Sequence, residues 1–126
     1  MLAVSVVLML PLMAIAHPIQ DGYRAAARQE SPTFSDFSPT RGEAFYKAKT
    51  GDVACASCHG DSPKAHGKHA ATSKDILPMA PVANAERFTD AAKVEKWFKR
   101  NCSDVLKRAC TANEKGDFIA YLLAVK

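Results

Sequence analysis

Cys55-Ala56-Ser57-Cys58-His59 is the stretch on which the reading of this chain turns. Two thiols three positions apart share one face of a helical turn, and an imidazole follows at once. This is the spacing of covalent haem attachment, in which both thiols add across vinyl groups and His59 is set under the iron. Histidine is a standard proximal ligand there. A structural disulfide between Cys55 and Cys58, a zinc site and a redox Cys-x-x-Cys pair are the other uses of such a pattern. The redox pair would need a βαβ setting, and no strand pattern stands out along the chain. We therefore read Cys55 and Cys58 as the attachment points of one haem c and His59 as a metal ligand.

Outward from the motif, three helical segments are expected. Ser38-Pro39 opens the first, proline being tolerated at a helix start; Phe45 lies on its inner face and Gly51 ends it. The second opens at Thr89 or Asp90 and carries Val94, Trp97, Phe98 and Asn101 at i, i+3, i+4 and i+7, one face of a helix. The third opens with Thr111-Ala112-Asn113-Glu114, a capping-box pattern, and repeats the one-sided spacing with Phe118, Tyr121, Leu122 and Val125. Residues 60–88 form an irregular stretch too long for an ordinary domain, as expected if it wraps a cofactor that supplies part of the core. Residues 17–38 are rich in Pro, Ser, Gln and Ala with no sustained apolar period. They are predicted to be a poorly ordered N-terminal extension, ahead of a domain spanning 39–126.

The chain has 126 residues, enough for one domain. Met1 to Ala16 carries no charge, and Ala14-Ile15-Ala16 offers small residues at the −3 and −1 positions of a cleavage site, which predicts a secretory signal with His17 as the new N-terminus. A membrane anchor would need ~20 apolar residues, and Pro11 interrupts the run. Periplasmic export without stable membrane insertion after cleavage is expected, although no Lys or Arg precedes the apolar run as in a usual signal. Lys and Arg number 17 against 13 Asp and Glu, a formal charge of +4; a nucleic-acid binder would show a stronger, more clustered excess. Lys93, Lys96, Lys99 and Arg100, with Lys107 and Arg108 beyond, form a collar suited to docking an acidic redox partner, or equally a solvated helix face with Glu95 nearby.

The surroundings of the motif resemble class I cytochrome c. In that family a first helix carries a Gly and an aromatic residue that cross a C-terminal helix; Gly42 and Phe45 match the first partner, Tyr121-Leu122 the second. The resemblance covers residues 39–126 and implies an all-α class I cytochrome c fold around one covalent haem. The second iron ligand then decides between electron transfer and small-molecule binding. Met79, in Pro78-Met79-Ala80-Pro81, is the conventional choice, or else a flexible packing residue against the haem. His66 and His69 follow His59 too closely to reach the far face readily and read as solvated loop residues. Asn101 sits on the apolar stripe with Trp97 and Phe98, where a buried amide must find partners; a surface Asn near a helix end is the alternative.

A narrower resemblance covers Pro78-Met79-Ala80-Pro81, Asn84, Arg87-Phe88-Thr89-Asp90, Val94-Glu95-Lys96-Trp97-Phe98, Arg100-Asn101-Cys102, Cys110-Thr111 and Glu114-Lys115-Gly116-Asp117. This pattern is similar to the sphaeroides haem protein (SHP) family, class I cytochromes that bind oxygen and nitric oxide. The resemblance implies that Asn101 is the distal ligand of oxidised iron and leaves on reduction, opening a face for a diatomic gas. Met79, Trp97 and Phe98 become residues packed around the haem. An electron-donating dihaem cytochrome c is implied as redox partner. The rival reading is a plain electron carrier with His59–Met79 ligation; a ligand sensor would need an output partner. No proton donor is identified beside the iron, so no enzymatic reaction is assigned. The resemblance also implies a Cys102–Cys110 disulfide. Eight positions along one straight helix span ~12 Å, beyond the reach of a disulfide, so the second helix is expected to break just after Asn101, with Ser103-Asp104 capping a new turn.

Overall fold

The computed structural model describes residues 17–126, and the predicted leader, Met1 to Ala16, lies outside the described residues. In chain order it comprises α1 (Ile19–Glu30), α2 (Pro39–Lys47), α3 (Cys55–His59), β1 (Gly67–Lys68), β2 (Asp75–Ile76), α4 (Ala91–Leu106) and α5 (Ala112–Ala124). α5 is the spine. α2 crosses it on one side and α1 lies along it on another, and the core gathers Tyr46, Phe88, Phe98, Phe118, Ile119 and Leu122 around it.

The helix starts follow from capping chemistry. Ser38 Oγ accepts from the Arg41 amide at 3.2 Å, with Pro39 at the first helical position. Asp90 Oδ1 accepts from the Lys93 amide at 2.9 Å, so Asp90 rather than Thr89 caps α4. Thr111 and Glu114 exchange both bonds of a capping box, as their spacing predicts. α2 ends at Lys47, one turn before the expected Gly51.

The α2–α5 crossing is as close as backbones come. A Cβ placed on Gly42 would overlap the Asp117 carbonyl and stand 2.8 Å from Tyr121 Cβ. Around that point Arg41 grips the buried Asp117 carboxylate, Nε to Oδ2 at 2.7 Å and Nη2 to Oδ1 at 2.9 Å, while the Ser38 amide donates to Oδ1 at 2.7 Å. Tyr46, Ile119 and Leu122 are fully buried, each contributing about 1.5–3 kcal/mol by leaving water.

Three expectations are corrected. Residues 17–38 are not a loose extension: α1 is a three-turn helix whose Gln20 and Ala27 are buried against α5, with Gln20 Nε2 donating to the Gly116 carbonyl at 3.2 Å. The rest of the stretch is anchored by Phe37, whose ring lies where a Gly116 Cβ would be. The inward face of α1 follows Ile19, Tyr23 and Ala27 at i, i+4 and i+8, a short period with only two large apolar residues. The second correction is that α4 does not break after Asn101. It runs on to Leu106, and Lys107, at φ +59, turns the chain back so that Cys110 meets Cys102 at a Cα separation of 5.7 Å. Ser103 caps no new turn; its carbonyl accepts from the Lys107 amide. Closing so small a loop contributes about 2.5 kcal/mol in the chain-entropy account. Third, the region 60–88 holds a two-stranded antiparallel hairpin, Gly67 opposite Ile76 and Lys68 opposite Asp75. Two residues per strand are too few for a period to show.

Candidate haem site

The motif Cys55–His59 is a helix of five residues. Ser57 Oγ accepts from the Ala54 amide at 2.9 Å, and Gly60, at φ +81, turns the chain out of it. Two buried contacts hold this turn. Tyr46, from α2, donates its hydroxyl to the Gly60 carbonyl at 2.6 Å. Gly67, from the hairpin, lies so close to the turn that a Cβ there would overlap the Cys58 carbonyl and stand 2.8 Å from His59 Cα. Cys55 and Cys58 are free thiols, half-buried; burial, with the Cys58 thiol beside it, pushes the Cys55 thiol up. The His59 ring is largely buried and its Nδ1 has no hydrogen-bond partner. Burial first, and the Arg87 guanidinium second, pull its pKa down to about 4. The imidazole is therefore neutral near pH 7, the form that donates to a metal.

The Pro78-Met79-Ala80-Pro81 loop is fastened to the segment just after the motif. The amides of Met79 and Ala80 both donate to the Pro63 carbonyl at 2.9 Å. From beyond the loop, Arg87 reaches back, Nε to the Pro78 carbonyl at 2.9 Å and Nη2 to the Leu77 carbonyl at 2.8 Å. Half-buried, the guanidinium is pushed below its ordinary value by loss of water. Phe88 follows at φ +61, buried, a left-handed conformation costing about 1–2 kcal/mol for a residue with a Cβ; it turns the chain into α4. Met79 is half-buried against the core.

α4 carries Trp97, Phe98 and Asn101 on one flank. Phe98 is buried, edge-on to Phe118 at 5.6 Å and to Tyr23 at 5.9 Å. Trp97 is 45% exposed, under the Arg100 guanidinium at 5.7 Å. Asn101 is exposed, so its amide does not need the buried partners that the stripe suggested. Of the basic collar, Lys93, Lys96, Lys99 and Arg100 are exposed, whereas Arg108 is tied to Glu114 by two bonds of 2.8 and 2.7 Å. His66 and His69 stay on the hairpin surface: His66 Nδ1 meets Asp75 Oδ2 at 2.8 Å, and His69 Nδ1 accepts from the amides of Ala71 and Thr72.

These residues fit a haem. The donor set is two free thiols and a neutral imidazole whose buried Nδ1 is unpartnered. Among the described residues, the large apolar side chains left exposed are Val53, Leu77, Val82 and Trp97. Val53 precedes the motif by two positions, Leu77 and Val82 flank the Met79 loop, and Trp97 precedes Asn101 by a turn. Apolar exposure beside the motif and on the segments of the two candidate second ligands, Met79 and Asn101, is what a ligand surface needs. Sequence reasoning missed Tyr46 and gave Arg87 no role. Tyr46 was within reach, since Gly42, Phe45 and Tyr46 stand at i, i+3 and i+4; Arg87 enters only as part of the family-like pattern, and its grip on the Leu77 and Pro78 carbonyls is a tertiary contact.

Comparison with known proteins agrees. The model of a family described as a domain of unknown function (DUF1924) matches residues 32–122. Cytochrome c'' of Methylophilus methylotrophus is 42% identical over 106 residues, covering 80% of this chain and 74% of that protein. The cytochrome c-type protein SHP of Cereibacter sphaeroides is 43% identical over 108 residues, covering 82% and 78%. The crystal structure of oxidised cytochrome c'' superposes with a TM-score of 0.77, at 41% identity over 86% of this chain and 92% of that one. The structure of oxidised SHP, described as an oxygen-binding cytochrome c, gives 0.74, at 39% identity over 84% and 93%. A solution structure of cytochrome c'', described as giving insight into haem-ligand detachment, gives 0.76, at 40% identity over 84% and 90%. The chain thus belongs to the SHP-like family of c-type cytochromes, an all-α class I cytochrome c fold that carries one covalently bound haem.

Proposed function

We propose that this cytochrome binds a diatomic gas, oxygen or nitric oxide, at a site that Asn101 occupies in the oxidised protein and vacates on reduction. When bound, the haem supplies an iron whose open face takes small ligands in the reduced state. Cys55 and Cys58 would hold it covalently, and His59, kept neutral by burial, would donate to its iron. Asn101 would hold the oxidised metal through its amide oxygen, a hard and weak donor that suits the softer reduced metal less well. Trp97, Phe98 and Met79 supply apolar surface.

The observation that carries this reading is the setting of Asn101: an exposed amide on the same helix as buried Phe98 and Cys102, one turn beyond an exposed tryptophan. A relative described as oxygen-binding and another described in terms of haem-ligand detachment support it. Against a Met79 ligand stands the double hydrogen bond from Met79 and Ala80 to Pro63, which ties that loop to the segment just after His59 and supports a packing role. Export to the periplasm rests on the Met1–Ala16 leader, and the disulfide suits an oxidising compartment. Electrons come from a redox partner, a dihaem cytochrome c by family resemblance, docked on the exposed lysines of α4.

The test is an absorption spectrum of the holoprotein, oxidised and reduced, with and without carbon monoxide, for the parent and Asn101→Ala. The expected result is a high-spin reduced spectrum that shifts with carbon monoxide, and an oxidised six-coordinate spectrum lost in Asn101→Ala. A low-spin reduced spectrum indifferent to carbon monoxide, with a methionine-to-iron band when oxidised, would establish the electron-carrier reading instead.

A further inference from the structure

α4 packs on the body of the protein through Val94, Phe98, Cys102 and Leu106, with the half-exposed Glu95 at the edge of that face. Cys102 is bonded to Cys110 in the loop that follows the helix, and Phe98 makes aromatic contacts without directional bonds. Glu95 is different. Its Oε2 accepts from the Tyr23 hydroxyl of α1 at 2.7 Å, and its Oε1 accepts from Lys115 Nζ of α5 at 2.7 Å. Lys115 also sits over the Tyr23 ring at 5.5 Å, its side chain only 15% exposed. Two elements, α1 and α5, thus converge on one carboxylate of the helix that carries Asn101. Its two donors hold the Glu95 carboxyl below the usual carboxylate range despite partial burial, which acts the other way.

Helical geometry gives this cluster leverage. At 100° per residue, Glu95 and Asn101 lie about 60° to either side of Phe98. Phe98 is then a pivot, with Glu95 pinned on one flank and Asn101 on the other. A roll of about 20° about a helix some 5–6 Å in radius carries the Asn101 side chain about 2 Å, the length of a metal–ligand bond. We propose that the Tyr23–Glu95–Lys115 cluster positions α4 in roll, and so sets how firmly Asn101 holds its place and how readily an incoming ligand displaces it. The inference rests on the reading of Asn101 as distal ligand; Tyr23, Glu95 and Lys115 are positioning residues that act through it.

Cyanide titration of the oxidised holoprotein at neutral pH tests this in a double-mutant cycle. Tyr23→Phe keeps the ring against Phe98 and removes one hydrogen bond to a charged group, worth about a factor of ten. Cyanide affinity is expected to rise about tenfold in Tyr23→Phe, and similarly in Glu95→Gln, but to be unchanged by either substitution in an Asn101→Ala background. Unchanged affinity in the single variants, or an equal rise in both backgrounds, overturns the positioning role while leaving Asn101 as ligand. If Asn101→Ala itself alters neither cyanide affinity nor the oxidised spectrum, the distal-ligand reading fails, and the positioning role fails with it.

Discussion

Substituting alanine at Gly42 tests the crossing on which the site is built. The new Cβ would stand 2.8 Å from Tyr121 Cβ and closer still to the Asp117 carbonyl oxygen, whereas carbon atoms rest at about 3.5–4.0 Å. Both obstacles are on or next to the α5 backbone, so no side-chain rotation relieves them and the helices must part by about 1 Å. Overpacking of this kind costs about 3 kcal/mol, and the better helix propensity of alanine returns about 1 kcal/mol. The net loss is about 2 kcal/mol, a fall in melting temperature of about 10 °C for a domain of this size. The parted helices would also loosen the grip of Arg41 on Asp117 and of Tyr46 on Gly60. Thermal unfolding of the oxidised holoprotein, followed by far-ultraviolet circular dichroism, measures the shift. A Gly42→Ala protein melting within about 2 °C of the parent, or above it, would show that helix propensity outweighs the steric cost and would refute the close crossing.

Two further outcomes are expected. Tyr46→Phe leaves the ring between Phe118 and Tyr121 but strips the Gly60 carbonyl of its donor, a cost of about 1–2 kcal/mol; a urea midpoint equal to the parent's would count against that bond holding the motif turn. The Glu114 carboxyl lies below its ordinary value, chiefly because Arg108 donates to it. A depressed carboxyl stabilises the fold above the unfolded value of about 4.3 and loses that contribution as pH falls through the lower folded value. Glu114→Gln should therefore lower stability by about 1 kcal/mol at pH 7, and this gap to the parent should close near pH 3; urea titrations showing the same gap at both pH values would contradict it.

The haem motif and the three main helices are legible in the amino-acid sequence, because each is written in residues near one another along the chain, whereas the Gly42 crossing is expected from the resemblance to class I cytochrome c. The Cys55–His59 spacing is local chemistry, the caps at Ser38, Asp90 and Thr111 satisfy amides three positions away, and Phe118 and Leu122 announce their face by helical period. What stays hidden depends on distant partners. α1 escapes notice because its inward face carries only two large apolar residues, Ile19 and Tyr23, with Gln20 and Ala27 polar or small, and only the Gly116 carbonyl explains the glutamine. The path from Cys102 to Cys110 turns on Lys107 taking a left-handed conformation, which no residue type there advertises.

Short-range spacing alone specifies the helical class and the covalent haem, and points to His59 as the imidazole that would ligate it. Packing of the folded chain adds the rest: His59 is held neutral by burial beside Arg87, Met79's loop is tied to Pro63, and Tyr23 and Lys115 converge on Glu95. The physical reason is that burial and long-range hydrogen bonds are properties of chain segments brought together, and side chains some 20 and 72 positions apart carry no mark of their pairing.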